Sequence, residues 1–353
     1  MPDLLAPISR TVLSDATAEG PVVIVTAHGG RTDALLVQDG DVDAVRLALT
    51  EEDVGRAVGD LLRDQPEAAT QPDAARRVSE TLEWLWDEVA HPVLSALGLD
   101  TARPPQEAPR LWWCPTGLFT FLPLAAAGHH GCGDTVLDRV VSSFTPTIRA
   151  LTHARRPEPR DASGSFLGVG VPNAPGLPPL HGVASAIASL RERFPDGVFL
   201  TGPDATADRV LARLAEADRA HFACHGVNSP YSPSSSCLVL HGGTALPVTD
   251  VSRLDLNAEL AFLSACSTAQ GGYDVPDEAI TVASAFLLAG YRNVVGTLWS
   301  VHDTEAPHTA ADFYDSLQPT APPARALQEA LHRARTRVPE RPDVWSAYVH
   351  YGA

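Results

Sequence analysis

Lysine is absent from the 353 residues, and all 26 basic side chains are arginine. That absence removes the Walker-type phosphate loop, the Schiff base of a pyridoxal enzyme and the strand lysine of a protein kinase. The five cysteines, Cys114, Cys132, Cys224, Cys237 and Cys266, are odd in number and follow no regular spacing. A disulfide framework is therefore not expected, and free thiols suit a reducing cytoplasm. No apolar run approaches the length needed to cross a bilayer, and no basic-then-apolar leader opens the chain. Positive charge is also scarce: the 26 arginines face 43 carboxylates, for a net charge of −17. Such a balance repels phosphate backbones and anionic lipid, so neither nucleic acid nor a membrane surface is expected as a partner. A basic substrate would be drawn in instead.

What is present falls into two stretches of different grammar. Residues 22–26, 34–38 and 42–49 read as strands, and the acidic Thr50-Glu51-Glu52-Asp53 as the start of a capped helix. Val78, Leu82, Leu85, Trp86, Val89, Val93 and Leu94 predict one long amphipathic helix over 74–97. Further strands are expected at 111–114, 119–122 and 139–144, and a short helix at 147–154. Residues 155–164 are polar and proline-punctuated, which marks a boundary. Beyond it strands (165–171, 197–200, 219–224, 260–265, 293–298) alternate with helices (182–194, 205–216, 278–289, 304–317, 323–336). A hairpin around 238–240 interrupts, and residues 228–236 read as a mobile surface loop. The fold class is α/β: a mainly parallel central sheet flanked by helices. Residues 1–158 form an N-terminal α/β half and residues 159–353 the half that carries the chemistry.

Two short apolar runs hold that chemistry. One ends on Cys224-His225-Gly226 and the other on Ser264-Ala265-Cys266-Ser267-Thr268. If the runs are neighbouring parallel strands, imidazole and thiol leave the same sheet edge, where open α/β sheets build their sites. A histidine and a cysteine meeting there suffice for thiolate attack on a carbonyl. A free cysteine is commonly just a core residue, but the polar, cramped turn around Cys266 argues against that reading. His225 alone would read as a structural histidine at a strand end; its pairing with Cys266 favours catalysis. Gly226 lets backbone approach a ligand closely.

Other chemistries fit less well. His221, Cys224 and His225 with Cys237 or Cys266 permit a zinc site. On a strand, however, residues 221 and 225 share one face and Cys224 takes the other, and no Cys-x-x-Cys pair exists. No metal is expected. Gly168-Val169-Gly170 follows a strand, yet Val171-Pro172-Asn173-Ala174-Pro175 cannot open the helix of a dinucleotide site. There is no Gly-x-Ser-x-Gly elbow for a serine hydrolase.

The order of segments resembles a CHAT domain, the caspase-like clan CD peptidase module often found behind tetratricopeptide repeats. The matching pieces are Cys114-Pro115-Thr116-Gly117, Leu122-Pro123-Leu124, Leu180-His181-Gly182, the His225-Gly226 and Ser264-Ala265-Cys266 segments, Gly296-Thr297-Leu298-Trp299-Ser300-Val301-His302-Asp303, and Phe313-Tyr314. The likeness begins near residue 78. The part before it resembles the region joining repeats to this module in longer actinobacterial relatives. Ser264 stands where animal caspases carry glutamine, so their aspartate-directed P1 pocket is not implied.

The resemblance implies a cysteine endopeptidase with His225 as general base and Cys266 as nucleophile. The backbone N–H groups of Gly226 and Cys266 would form the oxyanion hole, without a cofactor. Clan CD relatives other than animal caspases commonly accept arginine or lysine at P1. Asp274 and Asp303 are the candidate pocket carboxylates, because Asp277 and Glu278 suit the first turn of the helix expected at 278–289. The expected partners are a protein or peptide substrate, encoded nearby, and a regulatory or repeat-containing protein. The rival reading is a catalytically silent caspase-like scaffold, against which stand the intact His225, Gly226 and Cys266.

Overall fold

The computed structural model describes residues 8–155, 164–229, 232–270, 281–319 and 321–353. Strands β1 (Val22–His28), β2 (Arg31–Gln38) and β3 (Asp41–Leu47) form an antiparallel meander. β4 (Arg110–Pro115) lies parallel to β1. A small hairpin of β5 (Gly128–His129) and β6 (Asp134–Thr135) follows, and β7 (Val141–Phe144) then pairs parallel with β4.

Past residue 163 the chain alternates strand and helix. It passes through β8 (Phe166–Gly170), β9 (Val198–Thr201) and β10 (Arg219–Ala223). A separate antiparallel sheet comes next, made of β11 (His225–Val227), β12 (Cys237–Val239) and β13 (Ala245–Pro247). β14 (Ala258–Ser264), β15 (Tyr291–Thr297) and β16 (Tyr348–Gly352) complete the set.

Eleven strands make one sheet in the order β3-β2-β1-β4-β7-β16-β15-β14-β10-β8-β9. Pairing is parallel except in the β1–β2–β3 meander and between β15 and β16. β10, β14 and β15 are buried along nearly their whole length, which is why they read as near-continuous apolar runs. Phe222, Phe262, Phe286 and Phe313 lie fully buried among them. Strand order reverses at β8: β9 lies on one side of it and β10 on the other. The carboxyl ends of β8 and β10 therefore bound a crevice of the kind where α/β sheets bind ligands.

β16 joins the two stretches by standing between β7 and β15. A buried polar chain holds it there. Arg110 Nη2 donates to Ser143 Oγ at 2.8 Å, and Ser143 Oγ meets His350 Nδ1 at 2.9 Å. His350 Nε2 meets Asn293 Oδ1 at 3.0 Å, and Asn293 Nδ2 donates to Glu259 Oε1 at 3.0 Å. Each of these bonds joins neighbouring strands, which specifies the register that apolar contacts alone leave loose.

The structure departs from the expectations at several points. The strand expected at 119–122 is a tight helical turn, Gly117–Phe121, entered through Gly117 in the left-handed region at φ 55°. The long helix expected over 74–97 is present as one helical run, Pro72–Leu85 continuing through a wider π-type turn at Trp86–Ala90 into His91–Ala96. Pro92 accounts for the widening, because it has no N–H to donate to the preceding turn. The helix expected at 278–289 is described as Val282–Leu288, with Thr281 and Ser284 forming a reciprocal cap. The loop expected to be mobile at 228–236 is anchored at its described ends. Ser236 is buried there, accepting from Ser229 N at 3.1 Å and donating to Asn228 Oδ1 at 3.1 Å.

Candidate active site

β10 and β14 are adjacent and parallel, with Ala223 opposite Ser264. Their carboxyl ends therefore deliver His225 and Cys266 to one edge of the sheet, as the sequence predicts. The path of the chain differs in one respect. β10 stops at Ala223, the backbone bends at Cys224, and His225 opens β11 of the small sheet. That bend breaks simple strand alternation. Cys224 points into the core, where burial pushes its thiol pKa well up. His221 is fully buried, stacked on Phe262 at 5.0 Å, with Nδ1 3.2 Å from the Tyr314 hydroxyl. Among the described residues no cluster of three or more His, Cys, Asp or Glu side chains could hold a metal.

The thiol and the imidazole influence each other's protonation. A hydrogen bond to Cys266 is the largest influence raising the His225 pKa, and it outweighs partial burial. For Cys266, burial disfavours the thiolate. Hydrogen bonds from His225 and Ser300, the charge of His225 and the Val301 N–H more than offset that, so its pKa lies below the usual value. Both shifts favour the imidazolium–thiolate pair.

His225 Nε2 lies 2.8 Å from the Pro178 carbonyl oxygen. A carbonyl only accepts, so Nε2 carries the hydrogen and the neutral ring presents its lone pair at Nδ1. Pro178 belongs to the loop after β8, so this bond spans the crevice where the strand order reverses. The fixed tautomer leaves one nitrogen able to take a proton from the thiol.

The turn that carries Cys266 is held from beneath. Thr297, at the end of β15, donates from Oγ1 to the Ala265 carbonyl at 2.7 Å. Its N–H donates to Thr268 Oγ1 at 3.0 Å, and its carbonyl accepts from Ala269 N at 2.8 Å. Between these bonds Ser267 adopts φ 52°, an uncommon backbone for a residue with a Cβ. Such strain persists only where surrounding bonds over-determine it, and the Thr297 contacts supply that constraint. Gly226 abuts this turn. A Cβ on it would collide with the Cys266 carbonyl oxygen and sit 3.3 Å from the Cys266 N and C atoms.

A cavity of about 30 Å³ opens beside the thiol, lined by Leu180, Val183, Ala265, Cys266, Val301 and Asp303 among others. Asp303 thus stands in the wall next to Cys266, with its carboxylate accepting from Gly182 N. Asp274, the other candidate pocket carboxylate, falls within 271–280, outside the described residues, as do Asp277 and Glu278. Pro178, Ser300 and Val301 were not legible as site residues. They act through a carbonyl, a hydroxyl and a backbone N–H supplied by loops. The one available signal was that 300–303 continue directly from a predicted strand end, on the same sheet edge as Cys266.

Comparison with known proteins places this geometry in a wider setting. The sequence model of the CHAT domain matches residues 79–353. No curated protein matches the chain. Among solved structures, separase in the Saccharomyces cerevisiae separase–securin complex superposes with a TM-score of 0.70 at 10% identity. That match covers 98% of this chain and 31% of separase, so the chain spans about a third of the separase length. The Arg-specific cysteine proteinase gingipain R gives a TM-score of 0.52 at 9% identity, over 75% of this chain and 68% of the gingipain. The complex of the pro- and mature domains of RgpB from Porphyromonas gingivalis gives 0.52 at 12% identity, over 86% and 76%. These likenesses establish a caspase-like fold.

Proposed function

The chain belongs to the CHAT domain family, and from that premise we propose that it is a cysteine endopeptidase working through His225 and Cys266. The observation that carries the reading is that adjacent parallel strands bring His225 and Cys266 to one sheet edge, with the imidazole fixed on Pro178 and each group shifting the other toward its charged form. His225 Nδ1 takes the thiol proton, and Cys266 Sγ attacks the scissile carbonyl carbon. The N–H groups of Gly226 and Cys266 receive the oxyanion. The imidazolium returns its proton to the departing amine, leaving a thioester on Cys266. Water, deprotonated by the same imidazole, then hydrolyses the thioester and restores the thiol.

The P1 side chain is basic in this reading. Asp303 lines the cavity beside the nucleophile, and each carboxylate oxygen keeps accepting capacity beyond its bond to Gly182. Asp274 is the second proposed contact. A carboxylate in a narrow cavity selects arginine or lysine by charge-assisted hydrogen bonds, and the net charge of −17 steers such peptides inward. The partners are a protein substrate and a regulatory or repeat-containing protein, met in the cytoplasm. Among the described residues no helix is long and apolar enough to cross a membrane.

The experiment is labelling with chloromethyl ketone peptides differing only at P1. An arginine probe should add one adduct, on Cys266, at a rate well above that of glutamate or leucine probes. The same preparation should cleave a basic-P1 peptide, and Cys266→Ala should do neither. Cleavage surviving in Cys266→Ala, or no adduct on Cys266 with any probe, would overturn the assignment. Faster reaction with the acidic probe would overturn the basic P1 alone.

A further inference from the structure

Two loop segments hold the dyad from opposite sides. The first runs from Pro178, whose carbonyl fixes His225, to Gly182, which opens the helix Gly182–Arg193. The second runs from Ser300 and Val301, which donate toward the Cys266 sulfur, to Asp303. The first segment follows β8 and the second follows β15, two strands separated in the sheet by β14 and β10. Neighbouring strand pairing therefore does not set the distance between them.

Asp303 closes that gap. Both its carboxylate oxygens lie 3.0 Å from Gly182 N. The junction has no slack, because a Cβ on Gly182 would collide with the Asp303 carbonyl oxygen and crowd Pro307 Cγ at 2.9 Å. The acceptor is an anion and the donor is an N–H at the start of a twelve-residue helix, so charge and helix dipole reinforce the bond.

We propose that Asp303 is a positioning residue that locks the segment holding His225 to the segment holding Cys266, and so sets the geometry between imidazole and thiol. The proposal rests on the peptidase reading of the same site and adds a task to Asp303 beyond lining the P1 cavity. Without the lock, the Pro178 carbonyl and the Ser300–Val301 donors move independently. A displacement of about 1 Å between reacting groups is enough to cost orders of magnitude in rate.

The test reads Cys266 without any substrate. Alkylation by iodoacetamide at pH 7, followed by peptide mass mapping, yields a separate rate for each cysteine. Asp303→Ala should slow Cys266 about tenfold, the effect of one pKa unit on thiolate content, whereas Asp303→Asn, which keeps an acceptor for the Gly182 N–H, should stay within about threefold. Exposed Cys132 should react unchanged, and buried Cys114 and Cys224 should stay unlabelled. A Cys266 rate unaltered in Asp303→Ala overturns the lock, as does equal slowing in Ala and Asn variants, since charge alone would then be acting. New labelling of Cys114 or Cys224 also overturns it, because the whole fold would have loosened. If Asp303→Ala does not fold, Asp303→Leu, close to the carboxylate in shape but without an acceptor, carries the same comparison. Slowed alkylation in a protein that cleaves nothing leaves the lock standing and removes the peptidase reading instead.

Discussion

Gly226 packs its Cα against the backbone of Cys266 so closely that no side chain fits between them. Gly226 belongs to β11 of the small sheet and Cys266 to the turn after β14, and this contact is where the two meet. Gly226→Ala must therefore push one backbone away from the other. Overpacking at a constrained site costs about 1–3 kcal/mol, and the displaced group here is the one that carries the thiol. The expected outcome is a lowered melting temperature and loss of at least about a hundredfold in peptide cleavage, out of proportion to the loss of fold. Cleavage equal to the unaltered chain would mean that the contact is slack.

The pH dependence of the thiol follows from the two shifts within the pair. His225 is raised chiefly by its bond to Cys266, and Cys266 is lowered because its donors outweigh burial. Cys266 should therefore alkylate at lower pH than an unfolded-chain thiol. In His225→Ala the burial that raises the thiol pKa remains while its principal donor goes. The rising limb of rate against pH should then move upward by about one unit or more. Cleavage should fall on both sides of a maximum, as the thiolate is lost in acid and the imidazolium in base. The two apparent values belong to the pair jointly. A rising limb unmoved in His225→Ala would show the imidazole to be a bystander.

Much of this was readable beforehand, and the reasons divide cleanly. The alternation after residue 164 and the apolar runs of β10 and β14 predicted a parallel sheet with His225 and Cys266 at one edge. Buried parallel strands and sharp strand-end turns leave strong local signals. β16 left none. Tyr348-Val349-His350-Tyr351-Gly352 is short and carries a histidine, and what places it in the sheet is the bond from His350 to Asn293 and the contact with Ser143. Such partners are distant in sequence and have no periodicity. Pro178 was hidden for a related reason, since its contribution is a carbonyl that every residue possesses. Asp303 was legible as a carboxylate near the site, but not as the partner of Gly182.

Acid should weaken the fold through its neutral buried histidines. Burial lowers His130 from 6.5 to about 4 and His221 to about 3, and it lowers His332 and His350 as well. In the unfolded chain these groups bind protons near pH 6.5, before the folded chain does. The unfolded state then holds more protons, and stability falls as pH drops from about 6.5 toward 4. His129 and His225 are raised and work in the opposite direction, but they are two against four. The urea midpoint should decline steadily between pH 7 and pH 5 with unchanged slope. A flat midpoint over that interval would mean that those four rings are already exposed.

The division into residues 1–158 and 159–353 leads to the last expectation, that the two halves behave as one body even when the chain is cut. β16 is built from the final residues of the sequence yet pairs with β7 on one side and β15 on the other. The buried chain from Arg110 through Ser143, His350 and Asn293 to Glu259 crosses that seam. Trp112 adds a bond from Nε1 to the Gly352 carbonyl at 2.8 Å. Separating the halves would break the bonds across the seam and open the sheet between β7 and β16, at a net cost of about 0.5–1.5 kcal/mol for each hydrogen bond lost. Limited proteolysis at 156–163 should therefore give two bands on a denaturing gel and one peak on size exclusion, with Cys266 still reactive. Two folded fragments eluting apart would show that β16 holds to one side only and that the seam contributes little.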